Sequence, residues 1–261
     1  MFEEYYEPVP DLDSYLSRIG MARRNPSADY LDELIFMHQC KVPFEDLDPH
    51  EKHKCVSLGI RDLFDKVVMR KRGGFCFELN AIFGALLRVL GFEVQPSMAR
   101  VLMFPMPYAP CTHRVNIVTI DGERYLADVG FGGPEPAFAL KLEEGFERTG
   151  HGQTFAIAKH DDYWWDLLYD SSKGRINPLR FATVPSEETD FIALSYYQSA
   201  NPESHFVNTR IVNLRTPNGN LEITGSEFTR REGSEVSKIQ IESDEQLDEL
   251  LSKWFGIENW R

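Results

Sequence analysis

HRVNIVTIDGERYLADVGF, residues His113 to Phe131, decides the architecture of this part of the chain. Two runs rich in β-branched and apolar residues flank Asp121-Gly122. That dipeptide favours a two-residue hairpin turn because both positions need positive φ. In that geometry Ile120 pairs with Glu123. Counting back, Val115 faces Asp128 and His113 faces Gly130. His113 and Asp128 then lie on one face as diagonal neighbours, about 7–8 Å apart along the backbone, within reach of each other's side chains. A carboxylate on a strand among apolar residues needs a partner, since burying it alone is costly. The hairpin thus brings a base and an acid together.

Outward from the hairpin the chain changes character. Upstream, apolar residues recur at helical spacing. Leu12, Tyr15, Leu16 and Ile19 form one stripe, and Tyr30, Leu31, Leu34, Ile35 and Met37 another. Ser57 is placed to cap a third helix carrying Ile60, Leu63, Phe64, Val67 and Val68. A fourth runs from about Phe75 to Leu90, with Gly91 suited to end it. Strand-like runs follow. Residues 92–103 lead into a proline-rich loop, FPMPYAP. FAIAKH and YWWDLLYD form another pair, as do FVNTRIVNL and LEITGSEFT, joined through Pro217–Asn220. A last helix spans about Asp244 to Phe255, with Ser243 and Gln246 as a capping box and Gly256 as its stop. Helices first, strands later and one late helix predict an α+β fold.

The 261 residues carry a formal net charge of -13. That field disfavours nucleic acid, so any anion site must be local. The N-terminus has no basic stretch followed by an apolar run, and no segment has the ~20 apolar residues of a membrane span. A cytoplasmic protein without a membrane partner is expected. Cys40, Cys55, Cys76 and Cys111 lack CxxC spacing, which argues against disulfides and a zinc site.

Cys76 stands out among the four. In RGGFCFELN, Arg72 to Asn80, two glycines precede a helix start, so Cys76 falls in the first turn. Unpaired N–H groups and the helix dipole there favour a thiolate, and Arg70, Lys71 and Arg72 lie just upstream. The glycines leave room for a substrate, and the Cys76 N–H is placed to hold an oxyanion. A nucleophile, a base and an orienting acid make a triad if they meet, which local pattern does not decide.

These segments resemble those of the arylamine N-acetyltransferases. RGGFCFELN is similar to that family's cysteine motif, THRVNIV (Thr112–Val118) to its histidine motif and DVGFGG (Asp128–Gly133) to its aspartate motif. VPFEDLDPH (Val42–His50), YLSRIG and NPESHF (Asn201–Phe206) also fit in place and order. The resemblance implies a helical bundle over 1–91 carrying the nucleophile, a β-barrel over 92–200 carrying the His and Asp, and an α/β lid over 201–261. It implies a cysteine-protease-like core with the triad Cys76, His113 and Asp128. The activity implied is ping-pong transfer from acetyl-CoA to an arylamine, arylhydrazine or hydrazide, without a metal. Phe44, Phe131 and Phe206 are expected to line the acceptor pocket, and Gly130, Gly132 and Gly133 to approach CoA. Two departures accompany the match: Asp46 stands where Asn is frequent, and Glu135 follows DVGFGG near the expected CoA phosphates. An amide synthase or cysteine hydrolase using the same triad with another acyl donor is the alternative.

Overall fold

The computed structural model describes residues 2–103 and 106–261, so Phe104 and Pro105 of the expected proline-rich loop lie outside it. The first third is helical: α1 (Leu12–Ile19), α2 (Ala28–Lys41), α3 (Leu47–Lys52), α4 (Ile60–Phe64) and α5 (Cys76–Leu90), with the two-residue strand β1 (Phe44–Glu45) after α2. Local chemistry sets most of these ends. The Ser27 Oγ accepts from the Tyr30 N–H to open α2. Gly91 adopts φ 96° to close α5, while the Phe92 N–H bonds back to Leu87. Ser57 is not a cap: α4 begins at Ile60 after Gly59, and the Ser57 hydroxyl donates instead to Asp62.

The middle of the chain forms an eight-stranded antiparallel sheet that curls into a nearly closed barrel. Its strands are β2 (Glu93–Val101), β3 (Cys111–Ile120), β4 (Glu123–Ala127), β5 (Leu140–Lys141), β6 (Glu147–Gly150), β7 (Gln153–Lys159), β8 (Trp164–Ser171) and β9 (Gly174–Ala182). Their order is β5-β4-β3-β2-β9-β8-β7-β6. The Gly145 N–H donates to the Ile157 carbonyl and the Ile157 N–H donates to the Phe146 carbonyl, tying the turn after β5 to β7 and helping draw the ends together. Inside lie Val115, Ile117, Leu126, Phe155, Leu167, Leu179 and Phe181. A larger core packs the helices around α5, most of whose residues are buried.

Two further helices, α6 (Phe191–Ala200) and α7 (His205–Asn208), lead to a second sheet. It contains β10 (Ile211–Thr216), β11 (Gly219–Thr224), β12 (Glu227–Glu232) and β13 (Glu235–Gln240), covered by α8 (Asp244–Leu250). α6 carried no sequence signal read above. The Phe-Val-Asn expected to start a strand is α7, and GSEFT turns at Gly225-Ser226 into a third strand. The turn before β11 holds only Pro217 and Asn218.

β1 is the outer strand of this second sheet, pairing Phe44 with Asn213 and Glu45 with Val212. Asp46 sits at the junction. One carboxyl oxygen accepts from the Ile211 N–H at 2.8 Å, and the other has no partner among the described residues. Burial pushes its pKa up to about 9; the Ile211 N–H opposes this and the Glu45 charge adds to it. Folding thus favours the protonated acid. That stabilisation is complete below the ordinary value of 3.8 and is lost as pH rises through about 9. Asp46→Asn, which keeps the shape without the charge, is expected to raise Tm by about 2–6 °C at pH 8 and to do little at pH 4. Thermal unfolding at both pH values measures this, and an equal shift at both would contradict it.

Candidate active site

Cys76 is the first residue of α5, as its sequence position predicted. The turn before it is held from two sides. The Glu78 carboxylate accepts from the Phe75 N–H at 3.1 Å, closing the helix start. The Gly74 carbonyl accepts from the Glu45 N–H at 2.9 Å, so β1 runs directly against the loop. This contact explains the glycines. A Cβ on Gly73 would stand 1.8 Å from the Pro43 carbonyl oxygen, and one on Gly74 would stand 2.8 Å from Glu78. Gly73 permits the loop to approach the segment entering β1 closely, and Gly74 leaves room for the Glu78 side chain that closes the helix start.

The basic run upstream is likewise committed elsewhere. Arg72 is 2 % exposed and donates through Nε to Glu45 Oε1 at 2.9 Å and through Nη2 to Oε2 at 3.0 Å. Lys66, also buried, bridges Glu78 at 2.7 Å and Asp48 at 2.8 Å. Arg70 pairs with Asp65 on the surface. Arg72 and Lys66 thus fasten the loop through their carboxylate partners.

The hairpin has the predicted register, Ile120 opposite Glu123, with Asp121 and Gly122 at φ 52° and 81°. Pairing ends at Asn116 opposite Ala127. Beyond it the chain bends, and the His113 Nε2 comes 2.6 Å from Asp128 Oδ2. The thiol of Cys76 reaches the Thr112 carbonyl at 3.7 Å, beside His113. All three side chains are nearly sealed from solvent, at 3 %, 1 % and 4 % exposure for Cys76, His113 and Asp128. Burial alone would lower the imidazole's pKa. The Asp128 charge and hydrogen bond outweigh it, Cys76 adds its own hydrogen bond, and the pKa is pushed up to about 10. With Nε2 committed to Asp128, Nδ1 is the nitrogen left for the sulfur.

A second layer escaped the sequence reading. Asn80 donates to Asp128 Oδ1 at 2.8 Å and to the Arg114 carbonyl at 2.7 Å, and its own oxygen accepts from the Val129 N–H. The Gly130 N–H also donates to Asp128 Oδ1, at 2.9 Å. Gln39, from α2, donates to the Asp128 carbonyl. Asp128 is therefore locked in one orientation. Asn80 was findable: it lies four residues after Cys76, on the same face of one helix.

The expected aromatic residues gather around this centre. The Phe131 ring stands edge-on to His113, with centroids 5.4 Å apart. Phe206 lies 5.9 Å from Phe44 and 5.7 Å from Phe75, the residue before Cys76. The three glycines divide. Gly130 is packed against Asn80 and the Cys76 backbone, and its N–H serves Asp128. Gly132 and Gly133 instead border a cleft of ≈ 640 Å³ between the barrel and the second sheet. Glu135, His151, Tyr169, Asn213, Arg215 and Arg231 also line it. Among the described residues no helix is long and apolar enough to cross a membrane.

A family model described as N-acetyltransferase matches residues 27–259. An arylamine N-acetyltransferase of Mycolicibacterium smegmatis is 33 % identical over 256 residues, covering 95 % of this chain and 92 % of that protein. The Mycobacterium marinum arylamine N-acetyltransferase solved in complex with CoA superposes with a TM-score of 0.88 at 30 % identity, covering 95 % of this chain and 93 % of that one. The Salmonella typhimurium enzyme gives a TM-score of 0.90 at 26 % identity, covering 96 % and 92 %. With its helices, barrel, second sheet and a cysteine, histidine and aspartate drawn together, this chain belongs to the arylamine N-acetyltransferase family of acyltransferases.

Proposed function

We propose that this protein transfers an acetyl group from acetyl-CoA to an arylamine, arylhydrazine or hydrazide through an acetyl-Cys76 intermediate. The observation that carries the reading is the 2.6 Å His113–Asp128 pair beside the Cys76 thiol at a helix start. His113 holds the proton given up by Cys76, and the resulting imidazolium is stabilised by Asp128. The thiolate attacks the thioester carbonyl. The Cys76 N–H, in the first turn of α5, is available to the oxyanion. The C–S bond to CoA breaks, and His113 returns its proton to the departing thiolate. The acceptor amine then attacks acetyl-Cys76, His113 takes the amine's proton, and the thiolate is restored. Exchange between two thioesters is nearly balanced in energy, while amide formation runs downhill.

Phe44, Phe131 and Phe206, joined by Phe75, supply an apolar wall for the aromatic acceptor. On this reading the donor binds in the cleft lined by Gly132, Gly133, Arg215 and Arg231. The CoA complex of the M. marinum relative supports a CoA donor.

Intact mass spectrometry tests this directly. Acetyl-CoA alone should add one acetyl group, located on the Cys76 peptide. An added arylamine or hydrazide should remove it and yield an equal amount of acetylated product. A protein left unmodified by acetyl-CoA would point to another acyl donor, as in an amide synthase or hydrolase.

The raised His113 pKa predicts the pH profile. The imidazolium form is retained through neutral pH and lost only as pH passes about 10. The rate of Cys76 acetylation should therefore hold level across neutral pH and fall as pH approaches 10. The ionisation belongs to the Cys76–His113 unit rather than to one residue. Stopped-flow acetylation across pH 6–11 reads it, and a rate still climbing at the top of that range would contradict the imidazolium role.

A further inference from the structure

We propose that Glu135 determines how tightly the phosphate-bearing donor binds, by placing a carboxylate on the loop backbone and cleft wall that the donor's phosphates would use. The inference rests on the acetyl-CoA reading above. Three observations carry it. The Glu135 Oε2 accepts from the Phe131 N–H at 2.9 Å, inside the Asp128–Gly133 loop that forms the cleft's inner edge. The carboxylate thus already occupies an anion position on that loop. Next, Arg215, a cation of the cleft, is turned to the same residue: its Nη2 donates to the Glu135 backbone carbonyl at 2.6 Å. Its Nε is buried without a hydrogen-bond partner among the described residues. Third, the other arginine of the cleft, Arg231, is already paired with Glu222 at 2.7 Å. A phosphate entering here meets Arg231 paired with Glu222, Arg215 engaged by Glu135 and by the Gln153 side chain with only its Nε unpartnered among the described residues, and one carboxylate in the way.

The charge on Glu135 follows from what faces it. Burial and the nearby Asp128 carboxylate raise its pKa, opposed by Arg215, the Phe131 N–H and His113, leaving it at about 7. Cys40 faces it from α2 as a thiol pushed up to about 11, chiefly by burial, and so is uncharged. His151 lies across the cleft with its pKa lowered by burial, Arg215 and Arg148. Below pH 7 Glu135 is a neutral acid that a phosphate can approach. Above pH 7 it is an anion opposing the phosphate at short range and competing for Arg215. An uncharged acetyl donor feels none of this.

The test compares acetyl-CoA with an uncharged aryl acetate, measuring Cys76 acetylation by each in the wild type and in Glu135→Gln. The glutamine retains an oxygen to accept from Phe131. The readout is the ratio of kcat/KM for acetyl-CoA to kcat/KM for the aryl acetate. At pH 8 the substitution should raise this ratio about fivefold, mostly through KM, and at pH 6 it should change it less than twofold. Ionisation of the donor's own phosphates affects both proteins equally and cancels. Parallel ratios in the two proteins at both pH values would overturn the proposal. So would equal changes with both donors, which would place the effect of Glu135 on the triad through Asp128. If neither protein were acetylated by acetyl-CoA while the aryl acetate still modified Cys76, the donor reading itself would fall, and this inference with it.

Discussion

Replacing Asp128 with asparagine is expected to lower kcat/KM for acetyl transfer by about 10³–10⁴-fold while leaving the protein folded. The magnitude follows from the donors around the carboxylate. Asn80 and the Gly130 N–H both point hydrogens at Oδ1. An asparagine must therefore keep its oxygen there and turn its NH₂ toward His113 Nε2. That nitrogen can then only accept, so the neutral ring carries its proton on Nδ1, the side facing Cys76. The base is left in the wrong tautomer and loses the charge that favours its cationic form. Buried without Asp128, the imidazole should also fall below its ordinary pKa, and the alkaline limb of the pH profile should move down with it. Single-turnover acetylation of Cys76 and a melting curve separate chemistry from folding. A loss below about tenfold would mean that Asp128 is structural.

Replacing Arg72 with methionine is expected to destabilise the protein by about 3–5 kcal/mol, the cost of leaving a buried charge without its partner. Glu45 is fully buried, and its two oxygens are held by Nε and Nη2 of Arg72. Without the guanidinium, the cluster of Glu45, Asp48 and Glu78 keeps only Lys66 as its buried cation. The effect should reach catalysis because Glu45 belongs to β1, whose N–H holds Gly74, two residues before the nucleophile. Urea denaturation gives the stability loss, and kcat for acetylation gives the displacement of the loop. The double variant Glu45→Leu/Arg72→Met should recover part of the stability, since removing both charges removes the unpaired one. A loss below about 1 kcal/mol in the single variant would show that water or local rearrangement solvates Glu45.

Features closed by a few neighbouring residues were legible in the sequence. The cap at Ser243, the stop at Gly91 and the placement of Cys76 at a helix start each depend on contacts within one turn of helix. The Asp121-Gly122 hairpin also counted correctly as far as Asn116 opposite Ala127, because a two-residue turn fixes the register of what is paired behind it. The expected pairs Val115–Asp128 and His113–Gly130 do not form, because the strand ends before Asp128. The reading failed where distant segments compete for the same groups. Ser57 has the side chain of a cap, yet the helix starts after Gly59. Arg72, before Cys76, appeared to be charge for the sulfur, but it answers the buried Glu45 and the half-buried Asp48. The paired glycines suggested access; Gly73 meets the segment entering β1 and Gly74 the Glu78 side chain.

By itself, the sequence determined that Cys76 begins a helix and that His113 and Asp128 flank one two-residue hairpin turn, since turn and cap chemistry act over a few residues. It also carried the family resemblance that joins these pieces. Only the tertiary structure decided that they meet. α5 packs against β2 and β3, β1 crosses to β10, and Asn80 spans from the nucleophile's helix to Asp128. Burial there makes each partner matter: with water excluded, the Asp128 charge raises His113 well above its ordinary range, and a misplaced carboxylate such as Glu135 can bear on the cleft beside it.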